Sequence, residues 1–142
     1  MSPPPSDASD RHGEEPLDVI QTRYFEGANY PNRVELTITR EELSDEDNVQ
    51  EFGDAMLSAC KHRQATNALI DVSKLRFVTS SVLSRFITLH RELSRDGGQV
   101  ILADPGEMFR DVLEATHLDD YFHVSASLED GRNTLVTGGG LT

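Results

Sequence analysis

The stretch Asn67-Ala-Leu-Ile-Asp-Val-Ser-Lys-Leu-Arg-Phe-Val-Thr-Ser-Ser-Val-Leu83 decides how the chain must fold. Its first part, Ala68 to Val72, is a short apolar run with branched side chains, the pattern of a strand covered on both faces. After Lys74-Leu-Arg-Phe-Val78, the hydroxyl cluster Thr79-Ser80-Ser81 opens a different period. Val82, Leu83, Phe86, Ile87, Leu89, His90 and Leu93 form a wide apolar stripe at helical spacing that stops at Gly97-Gly98. A second buried strand, Gln99-Val-Ile-Leu-Ala103, follows at once, so strand, turn, helix and strand repeat as in an α/β layer.

Downstream, Asp104-Pro-Gly-Glu107 predicts a helix with a capping Asp, Pro at N1 and Glu at N3, whose buried face is Met108, Phe109, Val112 and Leu113. Tyr121-Phe-His-Val124 reads as a last short strand. Ser127-Leu-Glu-Asp130 then has capping-box spacing and should open a terminal helix ending near Leu135. Upstream, Ser44-Asp-Glu-Asp47 has the same spacing, and Val49, Phe52, Met56, Ala59 and Cys60 recur as a helix of about 45 to 63 requires. Arg33-Val-Glu-Leu-Thr-Ile-Thr39 alternates strictly, as in a half-buried strand. Leu17 to Phe25 is read as its hairpin neighbour, joined through the turn-rich Gly27-Ala-Asn-Tyr-Pro-Asn32. The expected order is β-β-α-β-α-β-α-β-α. The fold class is α/β, a small mixed β-sheet packed with helices, antiparallel at its start and parallel where helices cross over.

The chain has 142 residues, one domain's worth, and 37% of them are hydrophobic, enough for a core. Residues 1–16 hold four prolines and almost nothing to bury, so a disordered N-terminal tail is expected there. Thr137-Gly-Gly-Gly-Leu-Thr142 should be a flexible C-terminal tail, leaving 17–136 as the folded domain. With 25 acidic and 13 basic residues the net charge is −12, and no basic tract exceeds Lys61-His-Arg63, which argues against nucleic acid and anionic lipid. The apolar stretch from Val82 to Leu93 is broken by Arg85, His90 and Arg91, too short for a membrane span. One cysteine, Cys60, allows no internal disulfide, and the N-terminus lacks the apolar core of a secretory signal, so a cytoplasmic location is expected.

Catalytic chemistry finds little support in these residues. His12, His62, His90, His117 and His123 are scattered, and the lone cysteine has no partner at zinc-ligand spacing. Val78-Thr-Ser-Ser-Val82 lacks the glycines of a nucleophile elbow, and no glycine-rich phosphate loop follows a strand. His90 lies ten residues after Ser80, roughly 15 Å along a helix, too far to act as its base. Asp71 ends a buried strand as a phospho-accepting aspartate would, but the first strand lacks the acidic pair that such receiver domains carry. Seven acidic residues and no basic one lie between Glu41 and Asp54. Carboxylates complementing a helix N-terminus explain that run, with a divalent-metal site as the alternative. No metal or cofactor is expected. There remains Thr79-Ser80-Ser81, either a simple helix cap or a place where a phosphoryl group, adding about −1.5 to −2 charge, is tolerated by the helix and felt by a partner.

Ala68 to Leu83, the helix after it, Gly97-Gly-Gln-Val-Ile-Leu-Ala-Asp-Pro105 and Val112-Leu-Glu-Ala-Thr-His-Leu-Asp-Asp-Tyr-Phe-His-Val124 together resemble the STAS family, whose best-known members are bacterial anti-sigma factor antagonists. The resemblance runs over about 17 to 136. It implies a non-enzymatic, cytoplasmic regulator of transcription that binds a serine-kinase anti-sigma factor, which brings the ATP and Mg²⁺. In this family the strand-to-helix turn usually reads Asp-Ser-Ser-Gly and its first serine is phosphorylated, then restored by a metal-dependent serine phosphatase. Carried over, the phosphoacceptor is Ser80, with Ser81 and Thr79 as alternatives, and Thr79, Ser80, Ser81, Val82 and Arg85 form the partner-binding surface. Thr79 and Val82 depart from the family's Asp and Gly. Other roles the family implies are a scaffold or sensor subunit of a larger signalling complex and a small-molecule-binding domain. A homodimer is left open.

Overall fold

The computed structural model describes residues 15–45, 47–62 and 67–141, with the side chains of all of these except 62 and 136–141. In chain order the strands are β1 (Asp18–Gln21), β2 (Phe25–Tyr30), β3 (Arg33–Ile38), β4 (Glu42–Leu43), β5 (Asn67–Asp71), β6 (Phe77–Val78), β7 (Gln99–Ala103) and β8 (His123–Ser125). The helices are α1 (Val49–His62), α2 (Ser80–Ser94), α3 (Glu107–Ala115) and α4 (Leu128–Leu141). One six-stranded sheet has the order β1-β2-β3-β5-β7-β8, antiparallel through β3 and parallel from β3 to β8. A separate parallel pair joins β4 to β6.

The central strands show why their sequences are apolar without a break. In β5, Ala68 and Ile70 enter the main core with α1 and α2, while Leu69 turns to the other face and packs with Ile101, Ala103 and Leu135 beneath α4. β7 divides in the same way. The main core is threaded by aromatic rings meeting edge to face, Tyr24 with Phe52 at 5.5 Å and Phe52 with Phe86 at 5.7 Å.

β3 is buried on both faces, where alternation predicts half burial. Val34, Leu36 and Ile38 face the main core, and Arg33 and Glu35 on the opposite face are sealed in by α4. Glu35 accepts hydrogen bonds from Arg33 Nε at 2.7 Å and from Arg132 Nε and Nη2 at 2.8 and 2.9 Å. Three charge-assisted bonds to one carboxylate let charged residues occupy a core position that a polar residue alone could not.

Several elements differ from their sequence reading. Gly27-Ala-Asn-Tyr30 is strand, not turn: the chain reverses only at Pro31-Asn32, and the segment before Phe25 becomes a further antiparallel strand. Position 27 requires glycine, because a Cβ there would come within 2.1 Å of the Glu35 carbonyl oxygen. α1 begins at Val49. The Ser44 and Asp47 pair closes a turn on itself, and Asn48 Oδ1 caps the helix by accepting the Glu51 amide at 2.9 Å. α3 begins at Glu107, because the Asp104 amide is spent on the Ser125 carbonyl and Asp104 takes φ +57°, so the chain enters the helix later, through Gly106. Met108 consequently lies 46% exposed. Tyr121 precedes β8 and packs its ring on His90, instead of beginning the strand. α4 is capped by Ser127 as expected, its Oγ accepting the Asp130 amide at 3.0 Å, but the helix runs on to Leu141. The glycines at 138–140 lower helix propensity by about 1 kcal/mol each, yet extending an anchored helix needs no new nucleus. Of the expected tail at 1–16, residues 1–14 lie outside the described residues.

Candidate functional site

The parallel register levels the C-terminal ends of the strands, pairing Thr37 with Asp71, Asp71 with Ala103 and Ala103 with Ser125. The loops after β3 and β5 therefore leave one edge of the sheet side by side. They are tied together there: Glu42 pairs with Phe77 and Leu43 with Val78, and the Glu41 carbonyl accepts the amides of Arg76 and Phe77 at 2.7 and 3.1 Å. This clasp sets the Thr79-Ser80-Ser81 turn against Asp45, Asp47 and Asn48.

Thr79 is the residue before α2, extended at φ −96° and ψ 170°, and its carbonyl accepts the first intrahelical bond from Leu83 at 3.0 Å. Its side chain does not cap the helix. Instead Thr79 Oγ1 donates to Asp45 Oδ1 at 3.0 Å. Ser80 and Ser81 are exposed, on the first turn, where backbone amides have no acceptor within the helix. Val82, 1% exposed, and Leu83 plug this turn into the core, so the hydroxyls are presented from a rigid base. α2 carries no acidic residue in its first turn, whereas α1, α3 and α4 each do. At its other end the expected glycine stop is formed by paired bonds from Gly98 to Leu93 and from Gly97 to Ser94, with Gly97 at φ +84°.

Arg85 lies half-buried one turn above Ser81 and crosses α1 at Gly53, where a Cβ would come within 2.6 Å of Arg85 Cδ. Ser81, Arg85, Asp45, Asp47, Asn48 and Val49 line a shallow depression of about 470 Å³. Its carboxylates are engaged. Asp47 accepts the Ser44 amide and pairs with Arg40 at 2.7 Å, and the backbone bond, ahead of the ion pair, holds its carboxyl below the usual range. Of the acidic run, Asp47 is held by Arg40 and Ser44, Asp45 by Thr79 and Glu51 by Arg23, and among the described residues no group of three or more His, Cys, Asp or Glu side chains could hold a metal ion.

All five residues singled out from the sequence, Thr79, Ser80, Ser81, Val82 and Arg85, fall in this region, with Val82 beneath the surface and the others at it. Sequence reasoning missed Asp45, which reaches Thr79 across 34 positions and leaves no local signal. It also missed Phe77, 49% exposed three residues before Ser80. Other candidates are structural. Asp71 Oδ1 accepts the Ser73 amide at 2.9 Å, and burial pushes the Cys60 thiol up to about 12. His90 Nδ1 accepts the Val100 amide at 3.1 Å with its ring against Tyr121 and Phe122.

The STAS domain family model matches residues 31–131. Among solved structures, the anti-sigma factor antagonist SpoIIAA in its unphosphorylated form is 21% identical, with a TM-score of 0.66 over 80% of this chain and 96% of that one. The Bacillus cell fate determinant SpoIIAA in its phosphorylated form gives 20% identity and a TM-score of 0.61, over 78% and 98%. An anti-sigma-factor antagonist (STAS) domain protein from Planctomyces limnophilus gives 18% and 0.64, over 72% and 90%. No curated protein sequence matches the chain. No helix among the described residues is long and apolar enough to cross a membrane.

Proposed function

Since the chain belongs to the STAS domain family, we propose that it is a non-enzymatic anti-sigma factor antagonist, acting in the bacterial cytoplasm and switched by phosphorylation at Ser80. The observation that carries this reading is the presentation of Ser80: exposed on the first residue of α2, over a turn plugged by Val82 and Leu83. A kinase can reach such a hydroxyl without unfolding anything. The transfer forms the Ser80 Oγ–P bond as the bond between the γ-phosphorus and its bridging oxygen in ATP breaks, with the hydroxyl proton passing to a base of the kinase and ADP leaving.

The departures from the family's pattern fit this reading. Where the family has a carboxylate beside the acceptor this chain has Thr79, but Asp45 brings one to the same turn, hydrogen-bonded to Thr79 at 3.0 Å. Val82 replaces a glycine and is buried, which fixes the first turn of α2 more firmly. The unmodified surface of Thr79, Ser80, Ser81 and Arg85 would bind the serine-kinase anti-sigma factor and release its sigma factor. A phosphoryl dianion desolvated in that interface need cost only ~2.7 kcal/mol to weaken binding ~100-fold, and a metal-dependent serine phosphatase would reset the switch.

A scaffold role in a larger complex has one observation in its favour. β1 is an edge strand with Val19 72% exposed, and Leu17 just before it is 64% exposed, a surface suited to further pairing. Incubation of the protein with ATP, Mg²⁺ and the kinase-type anti-sigma factors of its host, followed by fragment-ion mass spectrometry, separates the readings. A single gain of about 80 Da at Ser80 is expected for phosphorylation. No modification by any of them, with a high-mass assembly on gel filtration, would favour the scaffold.

A further inference from the structure

The hydroxyls of the turn are not equivalent, because of Arg85. Ser81 and Arg85 are four residues apart on α2, about 40° around its axis, so they share a face; Ser80 stands about 140° from Arg85. Ser81 and Arg85 also line the same depression of about 470 Å³. The stem of Arg85 is fixed across Gly53, and its Nε is buried with no hydrogen-bond partner among the described residues. The carboxylates that share the depression do not claim it: Asp45 accepts from Thr79, and Asp47 is bound to Arg40 and the Ser44 amide. A held guanidinium with no counter-ion among the described residues therefore sits one turn above an exposed serine, in a chain of net charge −12.

Resting on the reading that this turn is phosphorylated, we propose that Arg85 is a built-in receptor for a phosphoryl group on Ser81, which makes Ser81 a second, self-paired modification site. Its formation has the balance given for Ser80: the Oγ–P bond forms, the γ-phosphorus bond of ATP breaks, the proton goes to the kinase and ADP leaves. The guanidinium then donates from its Nη groups to two phosphoryl oxygens, a geometry that a planar fork supplies. A phosphate on Ser81 is drawn back against α2 and α1, whereas one on Ser80 projects toward the partner. Asp45 and Asp47 repel either group, and Arg85 offsets them for Ser81 alone.

The test needs no kinase, so its failure is separable from failure of the switch. Phosphoserine is incorporated during translation at 81 or at 80 in the full chain, and each phosphorus resonance is followed through a pH titration. The group at 81 should hold its second proton about three-fold more weakly than the group at 80, because an adjacent cation favours the dianion. That difference should vanish in Arg85→Gln. Arg85→Met, which keeps the apolar stem over Gly53, serves the same purpose if Arg85→Gln does not fold. Equal proton affinities at 80 and 81, or a difference that survives loss of the guanidinium, would overturn the proposal.

Discussion

Substituting Ser80→Asp places a fixed carboxylate on the first residue of α2 and separates the stability of the turn from its use. A negative charge at a helix N-terminus is worth about 0.3–1 kcal/mol to the fold, and no acidic residue of that first turn already supplies it. Asp45, hydrogen-bonded to Thr79, works against it, by about 0.5 kcal/mol if the carboxylates lie ~8 Å apart in water. The net change stays within about 1 kcal/mol, which for a domain of this size moves the melting temperature by no more than ~4 °C. A partner closing over Ser80 must instead desolvate that carboxylate without a counter-charge, at about 2–3 kcal/mol, so the affinity falls ~30- to 150-fold. Calorimetric titration with the kinase-type anti-sigma factor proposed as partner reads the affinity, and circular dichroism the melting. Ser80→Ala, which removes the hydroxyl without adding charge, should bind within a few-fold of wild type. An unfolded Ser80→Asp protein, or one that binds within three-fold of wild type, would refute the reasoning.

Further expectations concern two titratable groups packed into or against the core, Glu35 and His90. Glu35→Gln removes the charge that holds Arg33, only 3% exposed, and Arg132, so urea unfolding should show a loss of about 3–5 kcal/mol. Burial opposes the Glu35 carboxylate, but the bonds and charges of Arg132 and Arg33 outweigh it and hold its pKa below the usual value. Its contribution is therefore present above the unfolded value of about 4.5 and lost as pH falls through the native one, a loss that acid denaturation of wild type should show and Glu35→Gln should lack. His90 behaves differently. Burial lowers its pKa, and Nδ1 accepts the Val100 amide, so the native state resists protonation. The unfolded chain binds the proton first, and stability should be full above about pH 6.5 and decline below it until the native imidazole itself titrates. Melting of His90→Asn, whose side-chain oxygen can replace Nδ1, should be flat between pH 5.5 and 7 relative to wild type.

What could be read in the sequence was decided by whether the physics was local. The runs at 68–72 and 99–103 and the stripe from Val82 to Leu93 announce themselves, because burial on two faces or on one helical face writes a period into neighbouring residues. The hairpin turn was misplaced for the complementary reason. Gly27 looks like a turn residue in isolation, and only the Glu35 carbonyl, eight positions away, explains it as a strand position where a side chain has no room. The two capping-box spacings divide in the same way. Ser127 meets its amide, while Ser44 and Asp47 prefer each other because β4 must first pair with β6.

The site repeats this division between local and distant cause. Its serines were legible because a hydroxyl cluster between a buried strand and an apolar stripe can only lie at a helix start. The setting that gives them character, Asp45 on Thr79 and Gly53 under Arg85, comes from segments 34 and 32 positions away, brought in by the clasp between β4 and β6 and the packing of α1 on α2. Hydroxyls that local sequence offers as interchangeable thus acquire distinct electrostatic surroundings only through the tertiary fold. A phosphorylation switch of the kind proposed could keep a common turn and change its response by substitutions that never touch the serines. Exchanging Asp45 or Gly53 would alter what a phosphoryl group meets while leaving Thr79-Ser80-Ser81 intact.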